Sequence, residues 1–148
     1  MRRLVLVFFL LICLPFSVNA EEKSIELTGE RLTYHGDGEE IIAINGKLIY
    51  QDVVLEGQKI HIFLQKKQLE AFGDVVVTEN KEQFHASQAN FNWDTDSWEF
   101  FDASSEFTGR SIVGKVFFRG KNLTREPDLT TVDEAFMTSC DLEKPHYH

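Results

Sequence analysis

The sequence predicts an all-β fold, an antiparallel stack of short strands laid down in repeats of about 28 residues. Three observations lead there. One residue pattern recurs at offsets of 28 and then 29 residues. Its apolar residues alternate with polar ones, and no window of a dozen residues carries a helical apolar stripe.

The elements follow in chain order. Residues 1–20 carry Arg2 and Arg3, an apolar run from Leu4 to Pro15, and Val18-Asn19-Ala20. A charged head, an apolar middle and a small-residue end are the parts of a cleaved export signal. The run is too short for a hydrocarbon layer of about 30 Å. Without it 128 residues remain, enough for one domain. The expected division is a signal at 1–20, a repeat domain at 21–128 and a C-terminal segment at 129–148.

Charge and composition exclude several classes. The full chain has a formal charge of −9; loss of Arg2 and Arg3 leaves 13 basic against 24 acidic residues, or −11. Nucleic acid needs a basic face, so general nucleic-acid binding is not expected. Apolar residues are 43% of the chain, too many for a disordered one. Cys13 departs with the signal, and Ile12 before it is not the small residue of a lipoprotein signal. Cys140 is then the single cysteine, either paired with another chain or a tolerated free thiol.

The repeat starts at Leu27-Thr-Gly-Glu-Arg-Leu-Thr-Tyr34, returns at Leu55-Glu-Gly-Gln-Lys-Ile-His-Ile62, and again at Phe84-His-Ala-Ser-Gln-Ala-Asn-Phe91. Each reads apolar, any, small, any, any, apolar, any, apolar. Turns follow at His35–Gly38, Gln65–Gln68 and Asp94–Ser97, and further apolar runs at Ile41–Ile44, Leu69–Phe72 and Trp98–Phe101. A degenerate fourth copy is expected from Ile112 to Phe118. Gly46 and Gly73 precede two more strand candidates, Lys47 to Val53 and Asp74 to Thr78, giving about three short strands per period. The Asp-rich turn 94–97 is expected to set Trp93 opposite Trp98 as a cross-strand pair rather than to bind calcium or sugar.

A unit of this size cannot bury its own apolar face, so neighbouring units must stack. Leu32, Tyr34, Ile60, Ile62, Phe91 and Trp93 recur at matched positions and are expected in one row. Periodicity is compatible both with a filled core and with sheets that splay around an apolar trough.

Gly29-Glu-Arg-Leu-Thr-Tyr34, Ala71-Phe-Gly-Asp-Val-Val-Val77 and Ala86-Ser-Gln-Ala-Asn-Phe-Asn-Trp93 resemble the OstA-like domain of the lipopolysaccharide-transport proteins, the LptA bridges and the N-terminal periplasmic domain of LptD. The tail, with Thr138-Ser139-Cys140 and Tyr147, is similar to the segment that follows this domain in the LptD translocon. The resemblance runs from about residue 25 to the C-terminus. It implies a V-shaped β-jellyroll, or β-taco, whose apolar interior shields lipid A acyl chains in the periplasm. The six row residues would then be lipid-binding. Each methylene exposed to water costs about 0.8 kcal/mol, so a chain of roughly a dozen carbons represents about 10 kcal/mol. The resemblance also implies head-to-tail edge-strand pairing with similar domains and a disulfide from Cys140 towards an outer-membrane barrel. No barrel strands occur between Cys140 and His148, so the expectation is a split or truncated translocon or a free-standing bridge, with Cys140 in a mixed disulfide to another envelope protein.

Other constellations weigh less. Cys140, His146 and His148 offer three zinc ligands without a fourth, and no metal or cofactor is expected. A metal-dependent envelope enzyme on those residues is the least favoured alternative; a lipid-free structural repeat module is the first. His35, His61 and His85 are expected to face outward. Arg110, Lys115, Arg119, Lys121 and Arg125 form a basic stretch, read as a solvated edge or as a rim for lipid phosphates.

Overall fold

The computed structural model describes residues 24–107 and 115–139. The expected signal, Arg110, Ile112, Cys140, His146 and His148 lie outside the described residues. Within them the chain forms one antiparallel sheet of ten strands. The strands are β1 (Ile25–Thr28), β2 (Arg31–His35), β3 (Glu40–Tyr50), β4 (Val53–Phe63), β5 (Gln68–Glu79), β6 (Glu82–Asn92), β7 (Ser97–Phe107), β8 (Val116–Glu126), β9 (Leu129–Asp133) and β10 (Phe136–Thr138). β3 to β8 pair consecutively as a meander. At one edge β1 and β2 share β3 end to end; at the other β9 and β10 share β8.

Each long strand is bent near its middle. The expected three short strands per period are two long ones whose halves lie on either side of a crease, so Lys47–Tyr50 and Asp74–Thr78 continue β3 and β5 instead of starting new strands, and Val53 already belongs to β4. The bend is made by residues that break the extended backbone. Asn45, Asp74, Asp102 and Glu134 have φ of 47–50°, and the register of β5 against both neighbours shifts beside it. The small position of the repeat, Gly29, Gly57 and Ala86, lies at the same level. A ladder of polar side chains crosses the outside of the crease there. Asn45 Nδ2 donates to Glu30 (2.7 Å), Gln58 Nε2 to Asp74 (2.7 Å), Ser87 Oγ to Asp102 (3.1 Å) and Lys121 Nζ to Glu134 (3.2 Å). Every rung joins the residue after the small position to a positive-φ residue, so the repeat's "any" position carries the crease.

This identifies the fourth repeat, which is Phe118-Arg-Gly-Lys-Asn-Leu-Thr-Arg125 and not the stretch starting at Ile112. Its small residue is Gly120, where an added Cβ would lie 2.1 Å from Val132 Cγ1 and 3.2 Å from Asp133 O. A branched side chain and a backbone oxygen cannot both give way. Gly120→Ala is expected to lose about 1–3 kcal/mol, seen as a lower urea midpoint with an unchanged slope.

The crease divides the sheet into two arms that face each other. The first arm holds β2, β9 and the loops at 36–39, 64–67 and 93–96; the second holds β1, β10 and the two-residue turns Gln51-Asp52 and Asn80-Lys81. The last turn has positive φ at both residues, which suits a tight hairpin. Asn92 Oδ1 accepts from Asp94 N (2.9 Å) and Thr95 N (3.3 Å), folding the Asp-rich turn back on itself. Trp93 N donates to Lys67 O (2.9 Å), and Lys67 Nζ meets Asp94 at 2.7 Å, holding the ammonium above its usual value and tying the two loops together.

Candidate apolar trough

Register places the inner-face residues in continuous rungs. Nearest the crease on the first arm runs Leu32–Ala43–Ile60–Ala71–Ala89–Phe100–Leu123–Val132. Ala43, Ala71 and Ala89 fit the narrow angle there between the larger Leu32, Ile60, Phe100, Leu123 and Val132. One step towards the rim runs Tyr34–Ile41–Ile62–Leu69–Phe91–Trp98–Arg125–Thr130. The facing rung on the second arm is Leu27–Leu48–Leu55–Val77–Phe84–Ser105–Phe118–Met137.

The six residues expected in one row therefore occupy two rungs and a loop. Leu32 and Ile60 share the first; Tyr34, Ile62 and Phe91 share the second. Trp93 lies beyond the end of β6, because Asn92 pairs with Ser97 and leaves residues 93–96 as the loop. The cross-strand partner of Trp98 is thus Phe91, with ring centroids 4.5 Å apart, and not Trp93. Trp93 instead packs edge-on to Tyr50 and Phe91 at 6.3 and 5.5 Å, its indole N–H buried without an acceptor.

Openness varies along the trough. In the middle the arms are in contact. Ile60, Ile62, Leu69, Phe100 and Leu123 are almost wholly buried, and Phe84 of the second arm stacks on Phe100 of the first at 5.3 Å. At the β2 edge the interior is uncovered: Leu32 is half-buried and Tyr34 is 62% exposed. At the opposite edge the arms part around a cavity of about 630 Å³, walled by Phe84, Phe118, Leu129, Val132 and Met137. Leu129 and Met137 are 59% and 67% exposed, so this end is an apolar surface open to water.

Arg125 brings a charge onto the inner face of the first arm. Arg125 occupies the fourth repeat's equivalent of Tyr34, Ile62 and Phe91. It pairs with Glu79 across the rim (2.5 Å) and lies 5.3 Å over the Phe84 ring. Burial pushes the Glu79 carboxyl above the usual glutamate value; Arg125 opposes this, while Asp52, Asp96 and Glu82 add to it. A carboxyl raised on folding takes up a proton in the folded state first, so its contribution to stability declines as pH rises from the ordinary value of 4.5 through the raised one. Glu79→Gln is expected to flatten that slope in urea midpoints measured across the interval.

The basic stretch divides between faces. Among its described residues, Arg119 pairs in register with outward-facing Ser104 and Phe136, Lys121 belongs to the outer crease, Lys115 pairs with Glu106, and Arg125 faces inward. His61 faces outward, 3.2 Å from Glu40, and His35 and His85 are exposed. Among the described residues no group of three or more His, Cys, Asp or Glu side chains is placed to hold a metal, and no helix is long and apolar enough to cross a membrane. A fourth copy starting at Ile112 predicts neither the inward Arg125 nor the end cavity; the true frame begins six residues later, and the glycine at 120 is its signal in the sequence.

No protein-family model and no curated protein matches the chain. Among solved structures it is similar to LptH from Pseudomonas aeruginosa, described as the LptA homologous periplasmic component of the lipopolysaccharide transport device. The TM-score is 0.62 at 9% identity, covering 84% of this chain and 91% of that one. The chain therefore has an LptA-like fold, an antiparallel β-jellyroll curled around an apolar interior.

Proposed function

We propose that this chain is a non-enzymatic periplasmic carrier that shelters the acyl chains of lipopolysaccharide or a related glycolipid on the way to the outer membrane. The observation that carries the reading is the apolar interior, continuous along the rungs and open at the β9–β10 end in a cavity of about 630 Å³. That capacity falls within the range of about 300–1,000 Å³ seen for ligand sites. The fold shared with LptH supports it. Leu32, Tyr34, Ile60, Ile62, Phe91 and Trp93, with Phe118, Val132 and Met137, would line the path. Cargo enters at the uncovered ends and parts the packed middle by separating the arms. Head-to-tail pairing of the β1–β2 edge of one domain with the β9–β10 edge of the next would join one trough to another. Cys140 would form a mixed disulfide with another envelope protein, such as an outer-membrane barrel; a non-reducing gel of envelopes should show a heterologous adduct that Cys140→Ser abolishes.

A photo-crosslinking amino acid placed singly at Tyr34, Met137 and outward-facing Lys59 tests the carrier reading. Lipopolysaccharide adducts are expected from the first two positions and not the third. Adducts from neither inner position in folded protein would overturn it, leaving the lipid-free module that the close packing around Phe100 favours.

A further inference from the structure

Arg125 stands where three other repeats place Tyr34, Ile62 and Phe91, and a repeat does not put a guanidinium on an apolar face without compensation. Its compensation comes from Glu79, reached from the opposite arm, and from the Phe84 ring beneath it. Both carboxylate and guanidinium are largely covered, with side-chain exposures of 21% and 23%. The pair sits where the cavity meets the packed middle, and Arg125 is the one cationic side chain among the described residues lining that cavity. Resting on the carrier reading, we propose that Arg125 and Glu79 form a clasp between the arms, opened when the phosphate of an amphiphile replaces Glu79 on Arg125 while its hydrocarbon enters the cavity.

Exchange, and not addition, is what the local charge permits. Glu82, Glu126 and Asp128 line the same cavity, so a phosphate bound beside Glu79 would add to an already negative mouth. Replacing Glu79 leaves the number of anions at the guanidinium unchanged. Guanidinium also suits phosphate well, since its fork donates two parallel hydrogen bonds. The displaced carboxylate returns to water, relieving the burial that already makes its ionised form costly. Glu79 belongs to β5 and Arg125 to β8, so the same exchange removes the one ion pair among the described residues that joins the two arms across the rim.

Single-chain amphiphiles below their micelle concentration provide the test. Dodecyl phosphate, neutral dodecyl maltoside and cationic dodecyltrimethylammonium are titrated into the full mature chain carrying Trp93→Phe, so that the fluorescence followed is that of Trp98, which pairs in register with Arg125. Dodecyl phosphate is expected to bind about tenfold more tightly than the maltoside, a preference of about 1.4 kcal/mol. Arg125→Leu, which restores the repeat's apolar residue, should abolish the preference while retaining maltoside binding. Arg125→Lys should keep part of it, and Glu79→Gln should tighten phosphate binding severalfold. Equal phosphate and maltoside affinities, preferred binding of the cation, or an undiminished preference in Arg125→Leu would each overturn the clasp. If Arg125→Leu does not fold, Arg125→Lys and Glu79→Gln decide by the same criteria. Failure of all three amphiphiles to bind would count against the carrier reading itself, whereas binding without headgroup preference removes only the clasp.

Discussion

Truncating Phe100 to alanine is expected to remove about 3–5 kcal/mol of stability. The side chain is 1% exposed and joins the arms where the interior is fullest. Its ring lies between Phe84 of the opposite arm, at 5.3 Å, and Trp98 of its own, at 5.4 Å, both nearly parallel to it. In register it sits between Ala89 and Leu123, neither of which can expand to fill the space. Since domains of this size are stable by about 5–15 kcal/mol, the loss approaches the whole. Urea unfolding followed by tryptophan fluorescence reads it as a large drop in midpoint. A change below about 1 kcal/mol would mean the arms are not packed through this ring. Tyr34→Ala, on the same face but 62% exposed, is the control and should stay within about 0.5 kcal/mol of wild type.

Ile62→Asp is expected to unfold the domain at neutral pH, a loss on the order of 4 kcal/mol or more. Ile62 is 1% exposed and is flanked in register by Ile41 and Leu69, so a carboxylate there would have neither water nor a cation beside it. Burial favours the neutral acid, raising the folded-state pKa. Stability should then recover partly as pH falls through that raised value, which circular dichroism at successive pH values would show. A variant equally unfolded at pH 4 and pH 7, or one as stable as wild type, would contradict this account of Ile62. The same reasoning bears on function: loss of cargo in Ile62→Asp would report unfolding, and the exposed inner positions Tyr34 and Met137 are where cargo contact can be read without it.

Much of this architecture was legible because it repeats. The spacing of Leu27, Leu55 and Phe84 located a shared rung, and the small residues Gly29, Gly57 and Ala86 marked the crease before its purpose was visible. Alternation identified Ile60, Ile62 and Phe91 as inner-face residues, and all three are buried. Other features were beyond local pattern. Trp93 continues the apolar alternation of β6, yet the Asx turn at Asn92 ends the strand first and leaves Phe91 as the partner of Trp98. The fourth repeat was hidden because its last apolar position is Arg125 and the connection ahead of it is longer.

By itself the sequence determined the fold class, the repeat period and, in the first three repeats, inner-face residues such as Ile60, Ile62 and Phe91, because alternation and small-residue spacing are local consequences of backbone geometry. Only the tertiary structure decided where the interior is full and where it is open. That depends on how far the arms close, which is set by contacts between residues far apart in the chain: Phe84 with Phe100, Tyr50 with Phe91, Glu79 with Arg125. A period in sequence fixes what one strand presents to its inner face; the volume left between two such faces depends on the angle at which they meet.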